Sequence, residues 1–477
     1  MVESIKVFIR FGELMKKNDT YDIEITDLNN LGSGVGHIDG KTVFVPSAVD
    51  GDTLRVKIIK DASDYAVAKI EEIINPSLHR AESACPVSRR CGGCVYRNIT
   101  YSHELELKRG YVEHAFKKAG LAVNVHPVEH GGEHHYRNKV QYPLSPDMKP
   151  GFYASHSHTV IPSEGCLLED EAFAPILEFC TGFLSSKGVT AYDENTGKGL
   201  MRHIYLRAGK VTGEVMVCLV INGERLKCER EFVTALTEKF PQVKTVLLNI
   251  NKSATNVILS DRFQIIYGNG YIEDVLCGLR FRISAASFWQ VNRDMAEKLY
   301  KKAASLADLK DGETLLDLYC GIGSIGLSVI NGRTASKLIG VEIVPDAVEN
   351  AKENAGINGI KNAEFICADL TSDAVNGINA PDAKISAAGH ADVIITDPPR
   401  KGCSPALLRR IADLSPRAFI YVSCNPDTLA RDCKIMEGYG YSVTEAFPFD
   451  LFPKTGHVET VVLMSREKDL LQKCQHF

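Results

Sequence analysis

The stretch Leu316-Asp317-Leu318-Tyr319-Cys320-Gly321-Ile322-Gly323-Ser324-Ile325-Gly326 decides the fold of this chain. A short apolar strand runs into closely spaced glycines, and a helix is predicted to begin there. Glycines after a strand let the backbone approach a ligand closely at the start of the following helix. The stretch therefore predicts a cofactor loop at the carboxyl end of a parallel strand.

The segments around this loop alternate between strand and helix patterns. Predicted strands are Thr314–Leu318, Lys337–Val341, Ala363–Cys367, Val393–Thr396 and Phe419–Ser423, and predicted helices are Gly321–Val329 and Pro345–Asn358. This alternation is typical of a doubly wound, Rossmann-like α/β sheet. Val443–Phe447 and Val458–Met464 are predicted to form an antiparallel pair at its edge.

Five short strands are predicted within residues 20–74, and they indicate a small OB-like β-barrel. They are Tyr21–Thr26, Val35–Ile38, Val43–Val45, Leu54–Ile59 and Tyr65–Ile74, with Gly32, Gly34, Gly36, Gly40 and Gly51 as turn residues. Such a barrel is either structural or a docking surface for nucleic acid.

The middle of the chain reads as a mixed α+β segment. Asn75-Pro76-Ser77 is a predicted linker, and helices are predicted near Ser102–Ala119 and Glu171–Ser185. With 477 residues the chain is long enough for about three domains. We predict boundaries at 14–74, 75–275 and 276–477.

Composition is ordinary for a globular protein, with 44% hydrophobic and 24% charged residues. No apolar stretch is long enough to span a bilayer, and the N-terminus does not resemble a secretion signal, so a cytoplasmic location without membrane contact is expected. The 14 cysteines should then be reduced. The net charge of −5 does not indicate nucleic-acid binding, so the protein would need a local basic face to bind RNA.

Two cofactors compete for the glycine loop. Gly321, Gly323 and Gly326 match the G-x-G-x-x-G pattern of dinucleotide enzymes, which alone is a weak signal. Asp317 before the loop, together with Glu342 at the next strand end, is instead the arrangement expected for S-adenosylmethionine. We favour a methyltransferase once the motifs below are counted.

Three further motifs supply reactive groups: Asp397-Pro398-Pro399-Arg400, Tyr421-Val422-Ser423-Cys424-Asn425-Pro426 and His457-Val458-Glu459-Thr460. A positioned thiol can add to an electron-poor ring, and a carboxylate can later remove a proton. Cys424 is the candidate nucleophile, with a buried structural cysteine as the alternative. Glu459 is the candidate base or else a salt-bridged surface residue.

Neighbouring groups are given lesser roles. Cys320 and Cys403 are interpreted as loop residues, and His457 as a structural histidine more readily than as a second acid or base.

Cysteines cluster as Cys85-x5-Cys91-x2-Cys94, followed much later by Cys166. Four thiolates suit either a [4Fe–4S] cluster or zinc, and the single close pair favours iron–sulfur. Buried cysteines without metal are the third possibility. A metal here would mainly fold the surrounding segment.

Two short stretches are candidate RNA contacts: Tyr136-Arg137-Asn138-Lys139 and Met201-Arg202-His203. Their cations could meet phosphates, with Tyr136 stacking on a base. A solvated basic face is the alternative.

With these motifs assembled, the chain resembles the RNA 5-methyluridine methyltransferases, and most of all the iron–sulfur, TRAM-bearing 23S rRNA uracil-5-methyltransferases. The resemblance covers about residues 15–466. It rests on the cysteine cluster, the glycine loop, the three motifs above (extended by Gly456) and Ser287-Phe288-Trp289-Gln290-Val291-Asn292.

The resemblance implies roles for particular residues. Contacts to S-adenosylmethionine are implied for Gln290, Tyr319, Glu342 and Asp397, and Asp369 would lie near the adenine. It places Glu459 beside Cys424, which would add to uracil C6 and make C5 nucleophilic. It also strengthens the [4Fe–4S] assignment and makes the barrel an RNA-docking TRAM domain.

Three rival functions stay open. A tRNA uracil-C5 methyltransferase would use the same chemistry, while an amino-group methyltransferase would not need Cys424. A non-catalytic iron–sulfur RNA-binding protein is the alternative outside enzymes. No protein partner is evident from the sequence.

Overall fold

The computed structural model describes residues 15–155, 157–194, 196–370 and 390–466. These residues divide into two compact units that interleave along the chain. Among the described residues, the first unit holds 15–84, Cys94–Glu104 and Lys454–Gly456, while the second holds Cys85–Gly93, Leu105–Pro453 and 457–466. The three predicted domains stay a prediction.

The first unit contains a six-stranded sheet. Its strands are β1 (Thr20–Glu24), β2 (Asp27–Leu28), β3 (Ser33–Ile38), β4 (Lys41–Pro46), β5 (Thr53–Asp61) and β6 (Tyr65–Asn75), in the order β1-β5-β6-β4-β3-β2. Along β5, Leu54, Val56 and Ile58 are buried and form the centre of its core. The sequence predicts five of these strands and misses β2, which is too short to show an alternating pattern.

Gly34 and Gly36 lie inside β3, and their predicted role as turn residues is wrong. A Cβ atom at Gly36 would stand 2.5 Å from the carbonyl oxygen of Glu24, and one at Gly34 would stand 2.7 Å from the Cβ of Ala48. The strand therefore passes too close to its neighbours for any side chain at these two positions.

A five-stranded sheet occupies the middle of the second unit. Its strands are β8 (Lys139–Pro143), β11 (Met201–Ala208), β12 (Val215–Ile221), β13 (Val243–Ile250) and β14 (Phe263–Tyr267), in the order β14-β13-β12-β11-β8. Helices α2 (Phe173–Ser186) and α3 (Glu229–Lys239) contribute Phe173 and Phe232 to the core on one face. The other face contributes Tyr205 and Met216 to a different core, so both faces of the sheet are covered.

Smaller elements complete this part of the chain: β7 (Asn124–Val125), β9 (Gly151–Tyr153), β10 (Val160–Pro162), β15 (Tyr271–Leu276) and β16 (Leu279–Ser284). β9 pairs with β10, and β15 pairs with β16. Phe281 of β16 packs in the same core as Tyr205, which joins the hairpin to the five-stranded sheet.

An eight-stranded sheet carries the glycine loop. Its remaining strands are β17 (Thr314–Leu318), β18 (Lys337–Glu342), β19 (Ala363–Cys367), β20 (Val393–Thr396), β21 (Ala418–Ser423), β22 (Tyr441–Phe449) and β23 (Glu459–Arg466). The order is β19-β18-β17-β20-β21-β23-β22-β7, and the first five strands are parallel. The predicted Rossmann-like fold is confirmed.

Helices cover both faces of this sheet: α1 (Tyr101–Lys118), α4 (Arg293–Ala307), α5 (Ser324–Ile330), α6 (Pro345–Ile357), α7 (Pro405–Leu414) and α8 (Pro426–Glu437). Leu315 and Leu316 point into different cores, as alternate residues of a strand must. Phe116 of α1 shares the core of Leu316, together with residues of α7 and α8.

At this sheet the structure differs from two of the sequence predictions. Helix α5 begins at Ser324 and not at Gly321, because Gly321 and Gly323 have φ values of +54° and +80° and stand outside the helix. The antiparallel pair β22–β23 is present, but the short strand β7 pairs beyond β22 and forms the edge.

A buried ion pair fixes α1 to the C-terminal part of the chain. The Lys108 ammonium lies 2.7 Å from Asp450 and donates to the carbonyl oxygen of Phe452 at 3.1 Å. Both charged side chains are fully buried, so neither charge tolerates the loss of its partner. Among the described helices, none is long and apolar enough to cross a membrane.

Candidate active site

Five predicted site residues lie at the ends of strands on one edge of the eight-stranded sheet. Asp317 and Glu342 are near or at the ends of β17 and β18, while Asp397 and Cys424 follow β20 and β21. Glu459 begins β23, which runs antiparallel to β21 with Thr460 opposite Ser423. Parallel strands and one reversed strand thus bring these side chains to the same edge.

Backbone strain and hydrogen bonds shape the glycine loop. Tyr319 has φ +61°, a left-handed conformation that costs a non-glycine residue about 1–3 kcal/mol and clusters at functional sites. The carboxylate of Asp317 accepts a hydrogen bond from the Gly326 amide at 2.9 Å. A Cβ at Gly326 would stand 2.7 Å from that carboxylate oxygen, so glycine is required there.

Backbone amides hold the Glu342 carboxylate at the other side of the loop. One oxygen accepts from Gly321 at 3.1 Å, and the other accepts from Ile343 at 2.9 Å and Val344 at 3.0 Å. A carboxylate oxygen has more than one acceptor position, so these bonds orient Glu342 and leave it able to accept from ligand hydroxyls.

Several polar groups around the loop have unused hydrogen-bonding capacity. The Oδ1 atom of Asp317 is buried without a hydrogen-bond partner among the described residues. Burial raises the pKa of Asp317 to about 7, so a nearby cationic or amino group would lower the free-energy cost of ionising this carboxyl group. The side-chain amide of Gln290, largely buried, makes no hydrogen bond within the described residues.

The remaining predicted cofactor residues lie around the same loop. Tyr319 is half-buried, and burial followed by the charges of Cys403 and Asp369 raises its pKa, which places Asp369 within electrostatic range of the ring. Ser324 begins α5, with its hydroxyl 3.1 Å from that of Tyr300. A ligand with an ammonium or sulfonium centre and ribose hydroxyls matches this donor and acceptor set.

Cys424 and two carboxyl groups influence one another strongly. Burial, then the charges of Glu459 and Asp397, raise the pKa of the Cys424 thiol to about 11. Burial and Asp397 raise the pKa of Glu459 to about 8, and burial raises that of Asp397 to about 7. The structure therefore brings together the thiol and the carboxyl groups that the sequence proposes as partners.

Arg400 is the cation at this centre, and sequence reasoning gave it no role. Burial and neighbouring carboxyl groups raise the pKa values of Cys424 and Glu459, and the charge of Arg400 partly offsets that rise. Its guanidinium lies 3.1 Å from the Nε2 of His457, which accepts the hydrogen bond. Burial and the charges of Arg400, Lys108 and Arg137 lower the pKa of His457, so this histidine is held neutral. The signal was present in the quoted motif as a lone arginine after Asp397.

Helix α8 clamps the loop that carries Arg400. The buried carboxylate of Asp432 accepts from the Cys403 amide at 2.8 Å and from the Tyr421 hydroxyl at 2.7 Å. Arg431 donates to the Asp432 carboxylate at 2.8 Å and to the carbonyl oxygen of Lys401 at 2.9 Å. The loop from Asp397 to Cys403 is thus fixed by side chains that the sequence does not reveal as functional.

The predicted cluster cysteines have different surroundings. The Gly93 amide donates to the Cys91 sulfur at 3.3 Å, and Cys91 forms a backbone bridge with Ala154. The Cys166 amide donates to the carboxylate of Glu169 at 3.1 Å. An amide hydrogen bond to sulfur stabilises a thiolate, so the surroundings of Cys91 suit a metal ligand. The assignment of Cys85, Cys91, Cys94 and Cys166 as a set stays a prediction.

Comparison with known proteins decides the family. A profile described as tRNA (Uracil-5-)-methyltransferase matches residues 100–467, which is most of the chain. The chain belongs to this family. A TRAM domain profile matches residues 15–70, so the sheet of the first unit is a TRAM domain.

Relatives of similar length support the same assignment. Uncharacterized RNA methyltransferases of Clostridium acetobutylicum and of Listeria monocytogenes serotype 4b are each 40% identical to this chain. The first match covers 95% of this chain and 98% of the relative, and the second covers 95% and 99%. This protein is therefore an RNA methyltransferase along its whole matched length.

One solved structure resembles nearly the whole chain. It is the Pyrococcus abyssi tRNA (uracil-54, C5)-methyltransferase in complex with S-adenosyl-L-homocysteine, with a TM-score of 0.75 and 26% identity. The match covers 93% of this chain and 100% of the archaeal one.

Substitution of Asp432 by Asn should slow methyl transfer to RNA while leaving binding of the methyl donor nearly unchanged. The charged acceptor that holds the Cys403 amide is lost, and such bonds contribute roughly 1.5–3 kcal/mol, or at least tenfold in kcat. Kinetics at saturating RNA and calorimetric donor binding would test this. Tyr421→Phe removes a single donor and should have a smaller effect. Parallel losses of donor affinity and thermal stability would indicate general destabilisation instead.

Proposed function

We propose that this RNA methyltransferase transfers a methyl group from S-adenosylmethionine to C5 of uridine, and that its substrate is 23S rRNA. The observation that carries the proposal is Cys424 placed at one strand end beside the buried carboxyl groups of Glu459 and Asp397. Amino-group methylation needs no thiol, and a non-catalytic RNA-binding protein needs none of the three. Membership of the uracil-5 family supports the same chemistry.

We assign the methyl-donor site to the residues around the glycine loop. Gln290, Tyr319, Glu342, Asp369 and Asp397 would hold the donor, as the resemblance implies. The unpaired Oδ1 of Asp317 and the amide of Gln290 supply hydrogen-bonding capacity that suits it. When bound there, S-adenosylmethionine supplies the methyl group.

Uracil C5 is a poor nucleophile until a group adds at C6. In the proposed mechanism the sulfur of Cys424 forms a bond to C6, and the ring electrons move to give a nucleophilic enolate at C5. The thiol must first lose its proton, and its pKa of about 11 makes a nearby base necessary. Carboxylates with raised pKa values are stronger bases, and Asp397 and Glu459 both have them.

Release of the product requires removal of the original C5 hydrogen. Glu459 takes this proton once C5 carries the methyl group, and the electron pair re-forms the C5–C6 double bond as the Cys424 sulfur leaves. The pKa of about 8 places Glu459 near the working pH, which is where a general base acts best. In structured RNA the target base must first be turned out of its stack.

Transfer RNA is the second candidate substrate. The archaeal enzyme that resembles nearly all of this chain acts on uracil-54 of tRNA. Methylation assays with both in vitro transcribed 23S rRNA domains and tRNA, followed by mapping of 5-methyluridine, would separate the two. Methylation of tRNA alone would contradict the proposed rRNA substrate and leave the chemistry intact.

Substitution of Glu459 by Gln should trap the covalent RNA adduct on natural, unmodified RNA. Addition and methylation proceed, but the C5 proton stays and Cys424 cannot leave. Denaturing electrophoresis with the methyl donor present would show a slowly migrating protein–RNA band. Cys424→Ala is the control and should give no band, even with 5-fluorouridine RNA, on which the wild type is trapped. Normal product release by Glu459→Gln would point to another base.

Arg400 should set the pH dependence of the reaction. Its charge favours the deprotonated forms of Cys424 and Glu459, so Arg400→Gln raises both pKa values and moves the rate profile to higher pH. A shift of about one pH unit makes the enzyme about tenfold slower at pH 7. Profiles of kcat from pH 6 to 9 at saturating substrates would measure it, with Arg400→Lys restoring most of the wild-type profile. An unchanged profile in Arg400→Gln would refute this coupling.

We further propose that Cys85, Cys91, Cys94 and Cys166 hold a [4Fe–4S] cluster with a structural role. The amide hydrogen bond to the Cys91 sulfur supports a thiolate at that position. Four thiolates and no other ligand match a cubane, which is held by protein at every corner.

Anaerobically purified protein should be brown and contain about four irons per chain. Cys91→Ser should lose the colour. It should weaken RNA binding more than donor binding, because the residues around Cys91 lie outside the eight-stranded sheet. Metal analysis and the two binding assays would test this. Zinc in place of iron would refute the cluster and leave the methyltransferase assignment standing.

A further inference from the structure

Positive charge is concentrated on one pair of strands in the middle of the second unit. Arg137 precedes β8, Lys139 begins it, and Arg207 lies directly opposite Lys139 on β11. Arg137 and Lys139 are two residues apart, so they project from the same side of an extended chain. The three cations therefore form one row, which we call the β8 basic row.

No carboxylate among the described residues forms an ion pair with this row. Arg207 is 1% exposed, and its guanidinium donates to the carbonyl oxygens of Ser284 at 2.7 Å and Ser287 at 2.9 Å. Neither Arg137 nor Lys139 makes a side-chain hydrogen bond or ion pair within the described part of the chain. Buried charges are normally paired. Arg207 is buried and Arg137 and Lys139 are half-buried, so three such cations together without a counter-ion are unusual.

Glu169, a carboxyl group near Arg137, already has hydrogen-bond partners. Glu169 is buried and forms a backbone bridge with Arg137. Glu169 also accepts from the hydroxyl of Tyr142 at 2.5 Å and from the Cys166 amide. Burial, Arg207 and Arg137 together lower the pKa of Lys139 to about 8. The three cations repel one another, and a bound anion would reduce this repulsion.

The β8 basic row extends toward the candidate active site. Arg137 forms a backbone bridge with Asn292, two residues after Gln290, and the Asn138 amide side chain donates to the carbonyl oxygen of Gln290 at 3.0 Å. The charge of Arg137 also reaches His457, the partner of Arg400. Arg137, at one end of the row, thus lies within electrostatic range of the Arg400–His457 pair of the candidate active site.

Two neighbouring residues are excluded as RNA contacts. Tyr136, predicted to stack on a base, is buried and its hydroxyl donates to the carbonyl oxygen of Pro453 at 3.1 Å, so that prediction is wrong. Arg202 is also buried, with its guanidinium on the carbonyl oxygens of Asn251 and Ser253.

We propose that Arg137 and Lys139 bind the backbone phosphates of the RNA strand next to the target uridine, with Arg207 as fixed positive charge behind them. This deepens the proposed function and rests on it for the identity of the target base. The protein carries a net charge of −5, so a local cation row is needed to hold a polyanion here. The phosphodiester is the anion that every substrate of an RNA methyltransferase brings.

Salt dependence of RNA binding tests the proposal. Each phosphate contact to single-stranded nucleic acid contributes about 0.7 to the slope of log K against log salt. Arg137→Gln and Lys139→Gln should each reduce the slope by about that amount, and the double variant by about 1.4. Lys187→Gln is the matched control, since Lys187 is paired with Glu231 elsewhere on the surface. It should leave the slope unchanged.

Proton uptake gives a second readout that misfolding would not imitate. An RNA phosphate favours the charged form of Lys139, so binding at about pH 8.5 should take up a fraction of a proton. Calorimetry in two buffers of different ionisation enthalpy measures it, and Lys139→Gln should remove it. Wild-type slopes in both single variants, or unchanged proton uptake in Lys139→Gln, would overturn the phosphate assignment.

The 5-fluorouridine trap separates this proposal from the proposed function. If the wild type traps RNA but the variants keep the wild-type salt slope, the phosphate site is wrong and the chemistry stands. If the wild type traps nothing while the variants lose slope, the basic row binds RNA and the uracil-C5 chemistry is wrong.

Discussion

The burial of several carboxyl groups at one sheet edge, together with the repulsion between them, is the constraint on which the rest of this site depends. Asp317, Asp397 and Glu459 come together because five parallel strands and the reversed strand β23 bring their ends to the same place. Burial raises all three pKa values, to about 7, 7 and 8. The chain offsets this with Arg400 and with backbone amides, and Asp432 keeps the Arg400 loop in position.

This arrangement also gives stability a definite pH dependence. In the unfolded chain these carboxyl groups ionise near pH 4, whereas in the folded chain they hold their protons up to pH 7 or 8. Across that window the folded state binds more protons, so its stability falls as pH rises. The site is therefore least costly to the fold in acid and most reactive in base. A structural role alone would not retain such groups, since apolar residues would serve the fold better.

Much of the fold was predictable because local patterns are strong. Thr314–Leu318, Ala363–Cys367 and Val393–Thr396 match the structure at both ends, since each is a short and mostly apolar stretch. The two-residue strands β2 and β7 have no such pattern and form only because a longer neighbour offers a free edge. Gly34 and Gly36 looked like turn residues because close crossing of strands leaves no mark in the local sequence.

The site divides in the same way between local motifs and long-range contacts. Cys424, Glu459 and the glycine loop are recognisable from local sequence. The roles of Arg400 and Asp432 depend on contacts with His457 and Cys403, which lie 57 and 29 positions away along the chain. Lys108 and Asp450, 342 positions apart, form a buried pair that no pattern predicts.

An acidic reaction centre is a difficult place to bring a polyanion, and the β8 basic row answers that difficulty. If Asp317, Asp397 and Glu459 were all ionised, they would repel the phosphates that flank the target base. Their raised pKa values leave each of these groups partly protonated near neutral pH and so reduce this repulsion. Lys139 shifts in the opposite sense, with a pKa lowered to about 8, and an incoming phosphate favours its charged form. The carboxyl groups are partly protonated, and the β8 basic row holds its positive charge more firmly when RNA is bound. Together these shifts would let one enzyme bind a polyanion and still keep bases at the reacting ring.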